Sequence, residues 1–170
     1  MRNKTKVHLT LFVLFFCTVV KAQIISTQVL QARIDIRSVM YLSVTTFGQN
    51  LDYNFYTSDD YLNGITKAGV FLVKIKSNQN WRLGVSASRP YFNFNGSTSF
   101  VMPASVLQLK HSNATQFAIL GVNVVELANG HRGSELRPGN TFLLDMKALP
   151  SGPAQGGLYD IDIVFTLSPD

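Results

Sequence analysis

Cysteine is almost missing from this sequence: the 170 residues hold one, Cys17. A disulfide framework is therefore excluded, and stability has to come from packing alone. Histidine is nearly as scarce, with three in the chain. His111 and His131 stand in turn-rich stretches, Lys110-His111-Ser112-Asn113 and Gly130-His131-Arg132-Gly133. Two scattered imidazoles without thiolates are too few for the usual three- or four-ligand zinc site. No Gly-x-Ser-x-Gly elbow occurs and no serine carries a local signature of activation, so triad chemistry has no starting point. Calcium would need clustered oxygen ligands. Asp52, Asp59 and Asp60, or Asp160 and Asp162, do not follow a known calcium loop and read as a solvated turn and a polar strand face. The expectation is a protein without catalytic residues, metal or cofactor.

Charge is sparse, with 15% of residues Asp, Glu, Lys or Arg. Four of the 15 basic residues (Arg2, Lys4, Lys6 and Lys21) and none of the 10 acidic ones precede Gln23. Beyond that point 11 basic residues face 10 acidic ones, a net charge of +1, with no basic run. Nucleic acid is thus not an expected partner.

Long apolar runs are also few. The one that stands out is Leu9 to Val20, preceded by Arg2, Lys4 and Lys6 and followed by the small residue Ala22. This is the tripartite pattern of a secretory signal, with cleavage expected between Ala22 and Gln23. Its 12 residues fall well short of the ~20 that span a bilayer, so no membrane span is expected after cleavage. Cys17 reads as a member of this apolar run, because Phe15 and Phe16 stand where a lipidation site needs a small residue. The division is then a signal peptide over 1–22 and a single domain over 23–170, exported to the periplasm, cell surface or medium.

What the rest of the chain does have is period-two alternation. Leu30, Ala32, Ile34 and Ile36 alternate with Gln31, Arg33, Asp35 and Arg37, which predicts a half-buried strand. Trp81, Leu83, Val85 and Ala87 alternate with Arg82, Gly84, Ser86 and Ser88 and predict another, with Trp81 as the central aromatic of a core. Val70 to Lys76 reads as its antiparallel neighbour through a turn at Asn78-Gln79-Asn80. The longest run is Tyr159, Ile161, Ile163, Phe165 and Leu167, predicted as one terminal strand with a single apolar face. Shorter apolar segments cover Tyr41 to Phe47, Val106 to Lys110, Gln116 to Leu127 and Thr141 to Leu149. Asn63-Gly64, Asn95-Gly96, Asn129-Gly130 and Pro138-Gly139 supply turn signals between them. About seven to nine such strands, with no helical stripe and no repeat, predict an all-β, immunoglobulin-like antiparallel β-sandwich. Two sequons, Asn95-Gly96-Ser97 and Asn113-Ala114-Thr115, support surface loops there.

Several stretches together suggest a family: Asp60-Tyr61-Leu62-Asn63-Gly64, Asn80-Trp81-Arg82-Leu83-Gly84-Val85-Ser86-Ala87, Met102-Pro103-Ala104-Ser105-Val106-Leu107 and Gly157-Leu158-Tyr159-Asp160-Ile161-Asp162-Ile163. In this order the chain resembles small exported β-sandwich proteins of Gram-negative bacteria, similar to spore-coat-U-like and pilin-like subunits. That resemblance implies a structural or adhesive surface subunit, with other subunits or its own copies and a periplasmic chaperone as partners.

Two functional readings follow from the residues. Leu30, Ala32, Ile34 and Ile36 have the alternation of a strand donated to another chain's sheet, or of a plain first strand within their own domain. Tyr53, Phe55 and Tyr56, and Tyr91, Phe92 and Phe94, form two aromatic loop clusters. These would stack on carbohydrate or anchor a partner, or else fold back to cap the core.

Overall fold

The computed structural model describes residues 28, 30–95, 101–150 and 155–170. The signal segment with its Ala22/Gln23 cleavage site lies outside them, as does part of the Asn95-Gly96-Ser97 sequon. The sandwich is built within Arg37–Asp170, and the residues up to Ile36 belong to a separate unit.

In chain order the described elements are β1 (Met40–Thr46), α1 (Ser58–Asn63), β2 (Ile65–Ser77), β3 (Trp81–Ala87), β4 (Asn93–Phe94), a 3-10 turn (Ala104–Val106), β5 (Leu107–His111), β6 (Ala118–Ile119), β7 (Val125–Gly130), β8 (Thr141–Ala148), β9 (Tyr159–Asp160) and β10 (Ile163–Pro169). The protein is all-β with antiparallel pairing. One sheet runs β1-β2-β8-β5-β6, the other β10-β3-β7, and β4 pairs with β9. With β1, β2, β3, β5, β8 and β10 taken as strands A to F, the sheets read A-B-E-D and F-C, the order of an immunoglobulin sandwich. Strand G would lie beside F in that order, and no described strand holds its place.

The core lies between the sheets. Val73 and Ile75 of β2, Trp81 and Leu83 of β3, Leu109 of β5 and Leu144 of β8 are fully buried. Trp81 stacks on Phe142 with ring centroids 6.2 Å apart, and its indole N–H donates to Asn140 Oδ1 at 3.1 Å. Asn140, itself fully buried, donates to the Ser134 carbonyl at 3.0 Å, so the polar groups beside the ring are matched. Opposite Trp81 in the ladder stands Gly130, where a Cβ would collide with the indole. Asn129-Gly130 is therefore not a turn but the end of β7, shaped by the tryptophan.

A bulge interrupts β2, where the three residues between Lys67 and Phe71 face Asp145 alone on β8. Gly69 takes φ +61° there, a conformation that L side chains rarely adopt. Its N–H donates to Asp145 Oδ1 at 2.8 Å, Ser112 Oγ donates to the same oxygen at 2.6 Å, and Lys110 Nζ lies 3.2 Å from Oδ2. Burial pushes the Asp145 carboxyl up, but these three hydrogen bonds and the lysine charge outweigh it and hold the group below its ordinary range.

Several expectations need correction. β2 and β3 are joined through Asn78-Gln79-Asn80 but are not neighbours, because β1 and β8 already occupy both edges of β2 and β3 must cross to the other sheet. The segment from Gln116 to Leu127 is two strands in different sheets. Fully buried Leu120 marks the crossing, its N–H bonded to the Leu107 carbonyl and the next carbonyl, of Gly121, bonded to Ala87. The terminal run is also divided. Tyr159-Asp160 pair with β4, whereas Ile163 onward pair with β3, and the Ser88 N–H and Arg89 side chain hold Asp162 at the switch. The row Tyr159, Ile161, Ile163, Phe165 is half-buried, not deep core.

Residues 30–36 form no strand, and Leu30, Ala32, Ile34 and Ile36 are exposed, Leu30 at 84%. Alternation defines two faces but supplies no partner edge, and no described strand pairs with this segment. Finally, α1 is a helix that apolar periodicity misses. Its signal is the capping box Thr57/Asp60, in which the Asp60 N–H donates to Thr57 Oγ1 and the Thr57 N–H to Asp60 Oδ2.

Candidate functional site

Two features stand apart from an ordinary closed sandwich. The first is the seam where β1 and β10 end their respective sheets. β1 pairs with β2 alone and β10 with β3 alone among the described strands. Met40, Leu42 and Val44 of β1 and Ile163, Phe165 and Leu167 of β10 are all packed on the core yet only part-buried. Phe165 meets Phe71 of β2 edge to face at 5.5 Å. One strand further in, Trp81, Leu83 and Val85 of β3 are at most 1% exposed. The sequence pattern of the two strands is the same. What differs is that, among the described strands, β3 has a neighbour on each side and β10 has one.

The second feature is a cavity of about 600 Å³ at one end of the sandwich. Tyr53, Phe55, Tyr56 and Phe92 from the two sequence clusters line it, joined by Tyr61 of α1 and Tyr159 of β9. Phe55 and Tyr61 lie 5.3 Å apart. The Tyr53 hydroxyl donates to the Met146 carbonyl at 3.0 Å, and burial pushes its pKa well up. Lys67 Nζ sits 5.0 Å from the centre of the Tyr53 ring. Tyr159 donates through its hydroxyl to the Gln155 carbonyl at 2.8 Å. The floor is apolar, from Met102, Val106, Met146, Ile161 and Ile163, and the rim carries Asp52, Asn54, Gln155 and Asp160. The two carboxylates are oriented by amides, Asn50 Nδ2 donating to Asp52 at 2.9 Å and Asn93 Nδ2 to Asp160 at 3.0 Å.

No protein-family model matches this chain, and no curated protein matches it.

The remaining candidates fall elsewhere. Tyr91 and Phe94 do not line the cavity; Phe94 packs on Tyr159 at 4.7 Å and so props the wall from behind. Tyr61 and Tyr159 escaped attention as site residues because one precedes an Asn-Gly signal and the other opens an alternating strand. Tyr159 is placed in the wall by the β4–β9 pairing, which no local pattern announces. His111 stacks on Phe142 at 4.8 Å and accepts the Asn113 N–H at Nδ1. Among the described residues no group of three His, Cys, Asp or Glu is placed to hold a metal, and no helix is long and apolar enough to cross a membrane.

Proposed function

We propose that this chain is an exported surface subunit, adhesive or structural and pilin-like, that assembles by strand donation. In this reading the segment Leu30–Ile36 of one copy lies along β10 of the next. The observation that carries it is the half-buried apolar row of β10 at an edge that no described strand pairs. Its complement is in the same chain: an exposed segment of matching length, seven residues against the seven of β10, with aliphatic side chains at alternate positions.

Each of Leu30, Ile34 and Ile36 gains roughly 1.5–3 kcal/mol on full burial, and each ladder hydrogen bond adds about 0.5–1.5 kcal/mol. Association and the ordering of the donated segment oppose these gains with a cost of similar size, so the loss of one aliphatic anchor is enough to shift the balance. An open edge of this kind also pairs indiscriminately. A periplasmic chaperone that covers β10 before assembly belongs to the same reading.

Size-exclusion chromatography of the chain beginning at Gln23 tests it. A ladder of oligomers is expected, collapsing to a folded monomer in the double variant Leu30→Asp/Ile34→Asp, with β10 protected again when a peptide of residues 28–37 is added. An unchanged ladder in the variant overturns the reading. A monomer in both proteins, with the variant less stable, would instead make 30–36 a strand of its own domain.

A further inference from the structure

The aromatic cavity shares Ile163 with the open edge but offers a ligand a different chemistry. We infer that it binds a neutral saccharide. Its volume of about 600 Å³ suits one or two sugar rings, within the ~300–1,000 Å³ usual for small-molecule sites. The wall chemistry narrows the occupant. A wholly apolar ligand would match the floor but make no use of the exposed Asp52 and Asp160 carboxylates and the amides at the rim. An anionic ligand would meet those carboxylates with no lysine, arginine or histidine among the described lining residues, and the nearby Lys67 ammonium is already engaged by two oxygens of Asn50. An organic cation would meet the Lys67 ammonium at this end of the cavity, 5.0 Å from the centre of the Tyr53 ring and tied to Asn50 Oδ1 at 2.7 Å beside the Asp52 carboxylate.

A neutral sugar meets none of these obstacles. Its C–H faces pack on flat rings such as Tyr56, Tyr61 and Phe92, and its hydroxyls are donors for carboxylate and amide oxygens at the rim. Asp52 and Asp160 each spend one hydrogen bond on an orienting amide, which fixes them while leaving further lone pairs for a ligand. Tyr56 is 85% exposed and stands at the mouth, so it is free to close over a bound ring.

Saturation-transfer NMR and calorimetry on the chain beginning at Gln23 test this. The probes are glucose, galactose, N-acetylglucosamine and their β-linked disaccharides, with glucuronate and choline as charged comparators. At least one neutral sugar should bind. Tyr56→Ala and Tyr61→Ala should each weaken it by about tenfold, the scale of one stacking contact. Asp52→Asn should weaken it several-fold and narrow its advantage over glucuronate. The assembly ladder should be unchanged in Tyr56→Ala, so the cavity and the open edge fail or succeed separately. Absence of binding by every neutral probe at about 10 mM, a threshold chosen for the weak affinities of small polar ligands, overturns the inference. Sugar binding indifferent to Tyr56, Tyr61 and Asp52, or binding of choline in preference, overturns it equally.

Discussion

β3 and β10 are neighbours in one sheet and carry the same message in sequence, yet they end at different depths. Trp81, Leu83 and Val85 are sealed between the sheets, whereas Ile163, Phe165 and Leu167 remain half-buried on the same side of the same sheet. Alternation decides which face of a strand turns inward. How deep that face sits is decided by whether another strand lies beyond it, and for β10 none of the described strands does.

The sharpest way to break this comparison is Trp81→Ala. It should lower the unfolding free energy by on the order of 3–5 kcal/mol, as for a fully buried large aromatic, and urea denaturation would show it. A loss below about 1 kcal/mol, the range of ordinary surface changes, would mean that β3 is not the deeper strand. Next, Phe165→Ala should cost the isolated monomer about half as much, roughly 2 kcal/mol, and more once β10 is covered by a donated strand. Equal losses in monomer and assembly would remove the distinction between the two strands.

Asp145→Asn comes third, at about 1–3 kcal/mol for hydrogen bonds to a charged group in a mostly buried site. It also has a pH signature. The folded carboxyl titrates below its unfolded value, so its contribution is complete above the ordinary carboxylate range near ~3.9. That contribution is lost as pH falls through the depressed folded value. Acid titration of stability should be shallower below pH ~4 in the asparagine variant; an identical slope would show that other carboxylates carry it. The smallest effect is expected from Asp162→Asn. Its partner Arg89 lies at 3.3 Å on a largely exposed carboxylate, and exposed pairs contribute about 0–1 kcal/mol.

Periodicity made the fold class readable, together with the inward faces of β2, β3 and β8 and the absence of long helices. It could not report which sheet each strand joins. The run from Tyr159 to Leu167 keeps its two-residue rhythm across the switch at Ile161-Asp162, because side-chain alternation is unaffected when the backbone changes partner. Gln116 to Leu127 hid its crossing for the same reason. α1 was written in hydrogen-bonding residues, Thr57 and Asp60, and an apolar pattern is blind to them. Of the cavity, the aromatic residues of two loops were visible but not their convergence. That required Tyr61 from a helix and Tyr159 from a strand, the latter placed by the pairing of Asn93-Phe94 with Tyr159-Asp160.

The enclosure of Trp81 has an optical consequence. It is the chain's one tryptophan, shielded from water by Phe142 and tied to Asn140. Its fluorescence belongs to the interior of the sandwich, while β10 and the aromatic cavity are lined by phenylalanine and tyrosine. Emission should therefore stay blue and constant while subunits join or a sugar enters, and shift red only when the sandwich itself opens. The molecule thus contains a gauge of its own unfolding that is silent to its encounters.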